Sequence, residues 1–367
     1  MEKKKSPYIY LRVLRHAEHT VFSVQDGQKF YYDPQYGSKM AYSSGQQVKR
    51  SVMEELTTFL NVPHAPNTFN WEIDKSGKAN PKEVHSPCDP TYVDQLLGGY
   101  MKAESGDYTV KRRSPLSISA MRPLHPKLGG LESNKENLTF DRTSHPEDHI
   151  VKVSRLDDKG KRQELSRDEL NDWLTTNKRN LPNRVWIPEH TRASGLFVFD
   201  VAIDLRTLFC VSLNRLEPEL HPDMEQKLRE AGWIEGRNAF GSCLICPKEK
   251  RDEIIPALAH ALLNWRITSN QSRTFSLMET LAIAMSDNAN QIAYAIRGEL
   301  RDEPVQGQPD AVVKLDETTK SELFITPVCG GYVAGAKGSV DALDNAEDYM
   351  IQQMKGFNFE NQIPSNP

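Results

Sequence analysis

The chain has 367 residues, 38% hydrophobic and 26% charged, enough for one elaborated domain or two ordinary ones. That balance implies a modest core with long surface insertions, and no apolar run approaches the roughly 20 residues that a membrane span needs. The net charge of -4 argues against a uniformly basic nucleic-acid binder, and five scattered cysteines, an odd number, point to a reducing cytoplasm.

After the charged start at Met1–Lys5, which does not read as a secretory signal, Tyr8–Leu14 alternates as a half-buried strand, with Ile9, Leu11 and Val13 on one side. Turn formers follow at Asp26-Gly27 and Asp33-Pro34. Gln46–Leu60 then places Val48, Val52, Leu56, Phe59 and Leu60 on one helical face, with Ser43 or Ser44 as N-cap. Residues 61–107 hold five prolines and read as an irregular insertion. Tyr108–Leu131 contains short strand-like pieces, and 141–194 is highly charged, with Trp173 and Trp186 as its large apolar residues. Within that arm, Ser166 and Glu169 make a capping box for a helix over Ser166–Thr175. Leu196–Leu205 is the clearest strand, its Phe197 and Phe199 on the apolar side. A helix over Lys250–Trp265 follows, then Phe275–Met285, ambiguous between strand and helix, and a strand within Ser321–Val328. This order of elements predicts an α+β fold, a ferredoxin-like (RNA-recognition-like) palm with large insertions.

The distribution of charge matters more than its sum. Lys111, Arg112, Arg113, Arg122 and Lys127 fall in a stretch without acids, as do Lys39, Lys49 and Arg50, so an acidic chain can still present a cationic groove; ordinary solvated surface charge explains them equally well. Three motifs combine such cations with small polar groups. Ser44-Gly45-Gln46-Gln47-Val48-Lys49-Arg50 opens the first helix, where unpaired N–H groups and the positive dipole end suit a phosphate. Arg112-Arg113-Ser114-Pro115-Leu116-Ser117-Ile118-Ser119-Ala120-Met121-Arg122 mixes cations, hydroxyls and one flexible apolar residue, Met121, able to wedge between bases; a basic loop beside an edge strand is the plain alternative. Ser269-Asn270-Gln271-Ser272-Arg273-Thr274 reads as a polar site or as a simple turn.

Other chemistries find little support. Cys243-x-x-Cys246 is half a zinc site with no second half, and fits a strand with two buried thiols. Gly330–Gly338 lacks the phosphate-loop pattern, and no nucleophile motif occurs. Asp26 and Asp33 sit beside turn formers and are better explained as turn residues than as catalytic acids. The chain is read as non-catalytic, without metal or cofactor.

Taken together and in order, the motifs resemble the backbone subunit of type I CRISPR Cascade, the hand-shaped family that polymerises along a guide RNA. Its Ser-Ser-Gln-x-x-Lys-Arg helix start is similar to Ser44–Arg50, with Gly45 in place of the second Ser. Its small-residue and Met run resembles Ser117–Met121 ahead of Gly129-Gly130. Its Ser-Gly-x-Phe strand resembles Ser194–Phe197 with Ile203-Asp204-Leu205. Its Gln-Arg-Thr-aromatic turn resembles Gln271–Phe275, with one extra residue between Gln and Arg.

The resemblance implies a discontinuous palm (1–60, 108–140 and 195–330), a finger insertion at 61–107, a thumb arm at 141–194 and a partly flexible C-terminal extension at 331–367. It implies guide RNA, further copies of the chain, other Cascade subunits and, through the guide, target DNA as partners. Thumbs would fold over the guide beside the neighbouring subunit and kink it at regular intervals. The implied RNA contacts are Ser44, Gln46, Gln47, Lys49, Arg50, Arg112, Arg113, Ser117, Ser119, Met121, Arg122, Asn270, Gln271 and Arg273. A related type III arrangement, which cuts target RNA with a loop aspartate, would use Asp26 or Asp33.

Overall fold

The computed structural model describes residues 6–22, 28–75, 77–102, 109–131, 136–141, 150–181, 184–267, 276–303 and 305–362. The chain divides into two compact units, Met1–Leu131 with Arg192–Pro367, and Glu132–Thr191. In chain order the larger unit begins with β1 (Tyr8–Thr20), the hairpin β2 (Phe30–Asp33) and β3 (Ser38–Ala41), and helix α1 (Gly45–Leu60). A second hairpin, β4 (Thr68–Ile73) and β5 (Ala79–His85), precedes α2 (Val93–Gly98) and a third, β6 (Tyr100–Lys102) and β7 (Val110–Arg112). Three short strands follow, β8 (Leu116–Ile118), β9 (Arg122–Pro123) and β10 (Gly129–Leu131). The smaller unit carries β11 (Glu136–Asp141), β12 (Ser154–Leu156), β13 (Arg162–Glu164), α3 (Arg167–Asn177) and β14 (Arg184–His190). Back in the larger unit come β15 (Ala193–Asp204), β16 (Cys210–Ser212), α4 (Pro222–Glu230), β17 (Ile234–Asn238), β18 (Gly241–Ile245) and α5 (Lys248–Asn264). The chain ends with β19 (Thr280–Ser286), α6 (Ala289–Ala295), β20 (Ile296–Leu300), β21 (Ala311–Leu315), β22 (Glu322–Ile325) and α7 (Ala342–Lys355).

The architecture mixes helices with several antiparallel sheets. The main sheet runs β10–β15–β1–β19–β22, with β8 and β9 also paired along β15, so one edge is assembled from three fragments. Alternation decides which face is apolar: Leu11 and Val13 of β1 stand opposite Val201 and Phe199 of β15, and Arg12 opposite Asp200. Phe197, Phe199, Val201 and Ile203 join Val48, Val52 and Leu56 of α1 and Leu258 and Leu262 of α5 in one core. The other face of the sheet packs Leu14, Leu196, Ala282 and Ile325 against Ile292 and Ala295 of α6. Arg15 is wholly buried; its guanidinium donates to the carbonyl oxygens of Leu263 (2.6 Å) and Trp265 (2.8 Å), holding the last turn of α5.

Two expectations need correction in detail. Among the described residues of 61–102, regular elements appear where an irregular insertion was expected: the β4–β5 hairpin, α2 and β6. One face of that hairpin presents Phe69, Trp71 and Ile73, each more than 60% exposed, while the other pairs Glu72 with Lys82 and Asn70 with His85. The C-terminal extension contributes to the core through one helix. α7 sets Ala346, Met350 and Met354, all fully buried, into the core beside α5. The Phe275–Met285 ambiguity resolves as a strand, β19.

In the smaller unit, β11 pairs with β14 and β12 with β13. The capping box is present: Ser166 Oγ accepts from the Glu169 N–H and the Glu169 carboxylate accepts from the Ser166 N–H. No residue of α3 is buried, and Ile150, Leu156 and Trp173 remain exposed.

Candidate nucleic-acid interface

The first turn of α1 is the centre of the candidate site. Ser44 takes an extended backbone conformation, and its hydroxyl oxygen accepts the Gln47 N–H at 3.3 Å. Its carbonyl accepts the Val48 N–H, while the N–H groups of Gly45 and Gln46 find no acceptor among the described residues. No acid occupies this turn to compensate the dipole.

The second motif meets this helix start directly. Ser43 and Met121 exchange both backbone hydrogen bonds, each at 3.0 Å, in an isolated antiparallel bridge. Gly45 lies so close to β8 that a Cβ would collide with the Ile118 carbonyl oxygen and stand 3.1 Å from the Ser119 carbonyl carbon. This backbone contact leaves no room for a side chain at position 45. Gly45→Ser should therefore lower stability by roughly 1–3 kcal/mol through overpacking. A chemical-denaturation midpoint equal to that of the parent chain would show that the contact is looser than described.

Around this clasp the polar groups divide into occupied and available ones. Ser119 is occupied: its hydroxyl donates to the Ala120 carbonyl at 3.0 Å and accepts the Asp200 N–H at 2.8 Å. The Asp200 carboxylate takes two bonds from Arg12, at 2.6 and 3.0 Å, and leaves Arg122 at 4.0 Å and 45% exposed. Arg50, exposed, donates to Glu54 one turn on at 2.9 Å, a pair worth about 0.3–0.5 kcal/mol and readily exchanged for a phosphate. Burial lowers the Lys49 ammonium from its ordinary pKa, and no carboxylate pairs with it among the described residues. A partly desolvated cation without a counterion favours an incoming anion. Among the described residues the Nε2 of Gln47 and the Oγ of Ser43 find no hydrogen-bond partner, but both are buried and out of reach of a ligand. Gln46 and Ser117 are exposed, and Lys39 lies 4.5 Å from the centroid of Phe30 on the same acid-free stretch.

Arg112 and Met121 do not fit the expectation. Val110 and Arg112 share the inner side of β7, so Arg112 is 3% exposed and all its donors are committed inward. They reach the carbonyls of Leu96, Thr207 and Cys210 and the Glu219 carboxylate. It is a structural strut with nothing left for a phosphate. Met121 is 0% exposed because its bridge to Ser43 turns the side chain into the core, where it cannot wedge between bases. Arg113 is exposed, but it lines a different cleft, which Ser117 also borders.

Asn270, Gln271, Arg273 and Asp26 lie outside the described residues. Asp33 accepts the N–H groups of Gln35 and Tyr36 at 3.0 Å and closes the β2–β3 turn. Cys243 and Cys246 are buried free thiols, and among the described residues no three His, Cys, Asp or Glu side chains converge as metal ligands. Ser43 escaped sequence reading as a polar group in its own right; its one signal was its place directly before the N-cap.

No protein-family model matches the chain, and no curated protein matches it in sequence. Among solved structures, a chain of a "CRISPR RNA-guided surveillance complex, pre-nicking" aligns over 95% of this chain and 89% of its own length, at 10% identity and a TM-score of 0.43. A chain of a "CRISPR RNA-guided surveillance complex" aligns over 95% and 84%, at 10% identity and a TM-score of 0.37. At these values the likeness assigns neither fold nor role. No helix among the described residues is long and apolar enough to cross a membrane.

Proposed function

We propose that the chain binds guide RNA along its sugar–phosphate backbone, as the repeated subunit of a CRISPR surveillance complex, and leaves bases free to pair with target DNA. The observation that carries this reading is the clasp itself. Two motifs about sixty residues apart in sequence, each a candidate phosphate binder, meet through the Ser43–Met121 bridge and the Gly45–Ile118 contact.

The groups offered there are the first-turn backbone N–H groups, the exposed Gln46 amide and the Lys49 and Arg50 cations, which hold phosphate and sugar without reading base identity, as a coat for a guide of arbitrary sequence requires. The strand order β19–β1–β15 and then the β8–β10 edge, with α1 and α5 joined in one core, supports a ferredoxin-like palm. The reading contains no catalytic step, since Asp33 serves its turn.

Lys49→Glu with Arg50→Glu tests it. Binding to single-stranded RNA should weaken irrespective of sequence, and the log-affinity against log-salt slope should flatten by about 0.7 for each phosphate no longer neutralised. Target RNA matched to the guide, mixed with the wild-type complex and Mg²⁺ or Mn²⁺, should stay intact. An unchanged slope removes α1 from the RNA path, and cleaved RNA removes the non-catalytic reading.

A further inference from the structure

The larger unit holds a second polar concavity, to which α1 contributes nothing. It is a cleft of about 940 Å³ bounded by β7 and β8 on one side and by the end of β15, β16 and the 214–219 loop on the other. The alternation that buries Arg112 exposes Lys111 and Arg113 on the opposite side of the strand. Two residues apart on extended chain, they project in parallel about 6.6 Å from one another, of the order of the spacing of successive phosphates in an extended single strand. Neither is ion-paired among the described residues.

Three carboxylates border the cleft, and two are already engaged. Asp204 holds Arg206, with bonds at 2.8 and 2.9 Å. Glu219 accepts from Arg112 and from the Ser212 N–H. Glu217 is left to accept from a sugar hydroxyl or an exocyclic amine. The floor supplies the other half of a nucleotide site. The Arg206 guanidinium lies between the rings of Tyr8 and Phe240, 5.0 and 4.8 Å from their centroids, and Phe240 is still 61% exposed. An aromatic ring backed by a cation and open to solvent is a stacking platform.

We infer that this cleft holds a second stretch of single-stranded nucleic acid, with successive phosphates on Lys111 and Arg113 and an unpaired base against Phe240. The inference rests on the chain being a nucleic-acid binder, but not on the α1 site. An acidic peptide would engage the two cations but would leave Phe240 and Glu217 without a role.

The test uses the full chain with a fluorescein-labelled oligouridylate, as Lys111→Gln with Arg113→Gln and, separately, as Phe240→Ala. The double variant should flatten the salt slope by about 1.4, two phosphates at about 0.7 each. Phe240→Ala should weaken binding roughly 5- to 150-fold with the slope unchanged. Both effects should persist when Lys49→Glu and Arg50→Glu are also present. Slope and affinity unchanged in the cleft variants, with weaker binding confined to the α1 variant, would overturn the cleft and spare the α1 site. An oligoglutamate peptide competing as well as the oligouridylate would make the cleft an acidic-peptide site. A wild-type chain that binds no oligouridylate would sink both.

Discussion

Arg112→Ala is expected to cost roughly 3–5 kcal/mol of folding stability, the range for removing one partner of a buried ion pair. The effect is large because the guanidinium ties three separate segments together. It takes the Leu96 carbonyl at the end of α2, the Thr207 carbonyl after β15 and the Cys210 carbonyl in β16, and it neutralises Glu219. Alanine would strip those carbonyls and the carboxylate of their shared donor. Its neighbour gives the control: Arg113→Ala, on the solvent side, should lie within about 0.5 kcal/mol of wild type. Urea titrations with unchanged slope would show the difference as a shift of midpoint alone. If Arg112→Ala unfolds like the parent chain and instead loses RNA affinity, the side chain is free in solution and the strut description is wrong.

Excision of the smaller unit is expected to abolish regular multi-copy assembly on RNA while sparing the fold of the larger one. Leu131 and Ala193 are register partners of β10 and β15, so the unit is inserted where a hairpin turn would otherwise stand. Antiparallel partners lie about 4.5–5.5 Å apart, and a short Gly/Ser turn can close that gap. Among the smaller unit's described residues, α3 has no fully buried side chain, and Ile150, Leu156 and Trp173 are exposed. Under the proposed function, those apolar groups are what a neighbouring copy would cover. Electron microscopy of the excised chain on guide RNA should show isolated particles, and normal arrays would remove the thumb assignment.

The sequence made the long alternating and periodic elements legible, and missed what depends on distant partners. β1 alternates over Tyr8–Val13, β15 over Phe199–Asp204, and α1 keeps a helical stripe, so one face is named by its own pattern. β19 resisted assignment because all of its residues are buried, which erases alternation. The dibasic pair Arg112-Arg113 looks uniform in sequence, yet it has one inward and one outward member. The buried Val110 two residues earlier was the available clue, in a strand only three residues long. Met121 could not be placed without Ser43, its partner across most of the site. In α7 the spacing of Ala346, Met350 and Met354 was present, but it followed a glycine-rich segment and was interleaved with acids. The first two motifs stood out one by one; that they touch is a property of the sheet edge.

That edge has a consequence for solubility. An unbroken border strand offers a row of free N–H and C=O groups on which any passing extended segment can grow. Here the border beside β15 is cut into three pieces of two or three residues, with Pro115 and Pro123 removing donors, and the opposite border strand, β22, has four residues. Gly195, at φ +119° and against Gly129, adds a sharp irregularity at the end of the broken border. The main sheet of a protein proposed to stand in close ranks with its own copies therefore offers them no long border on which to add a strand, which limits cross-β growth from that sheet.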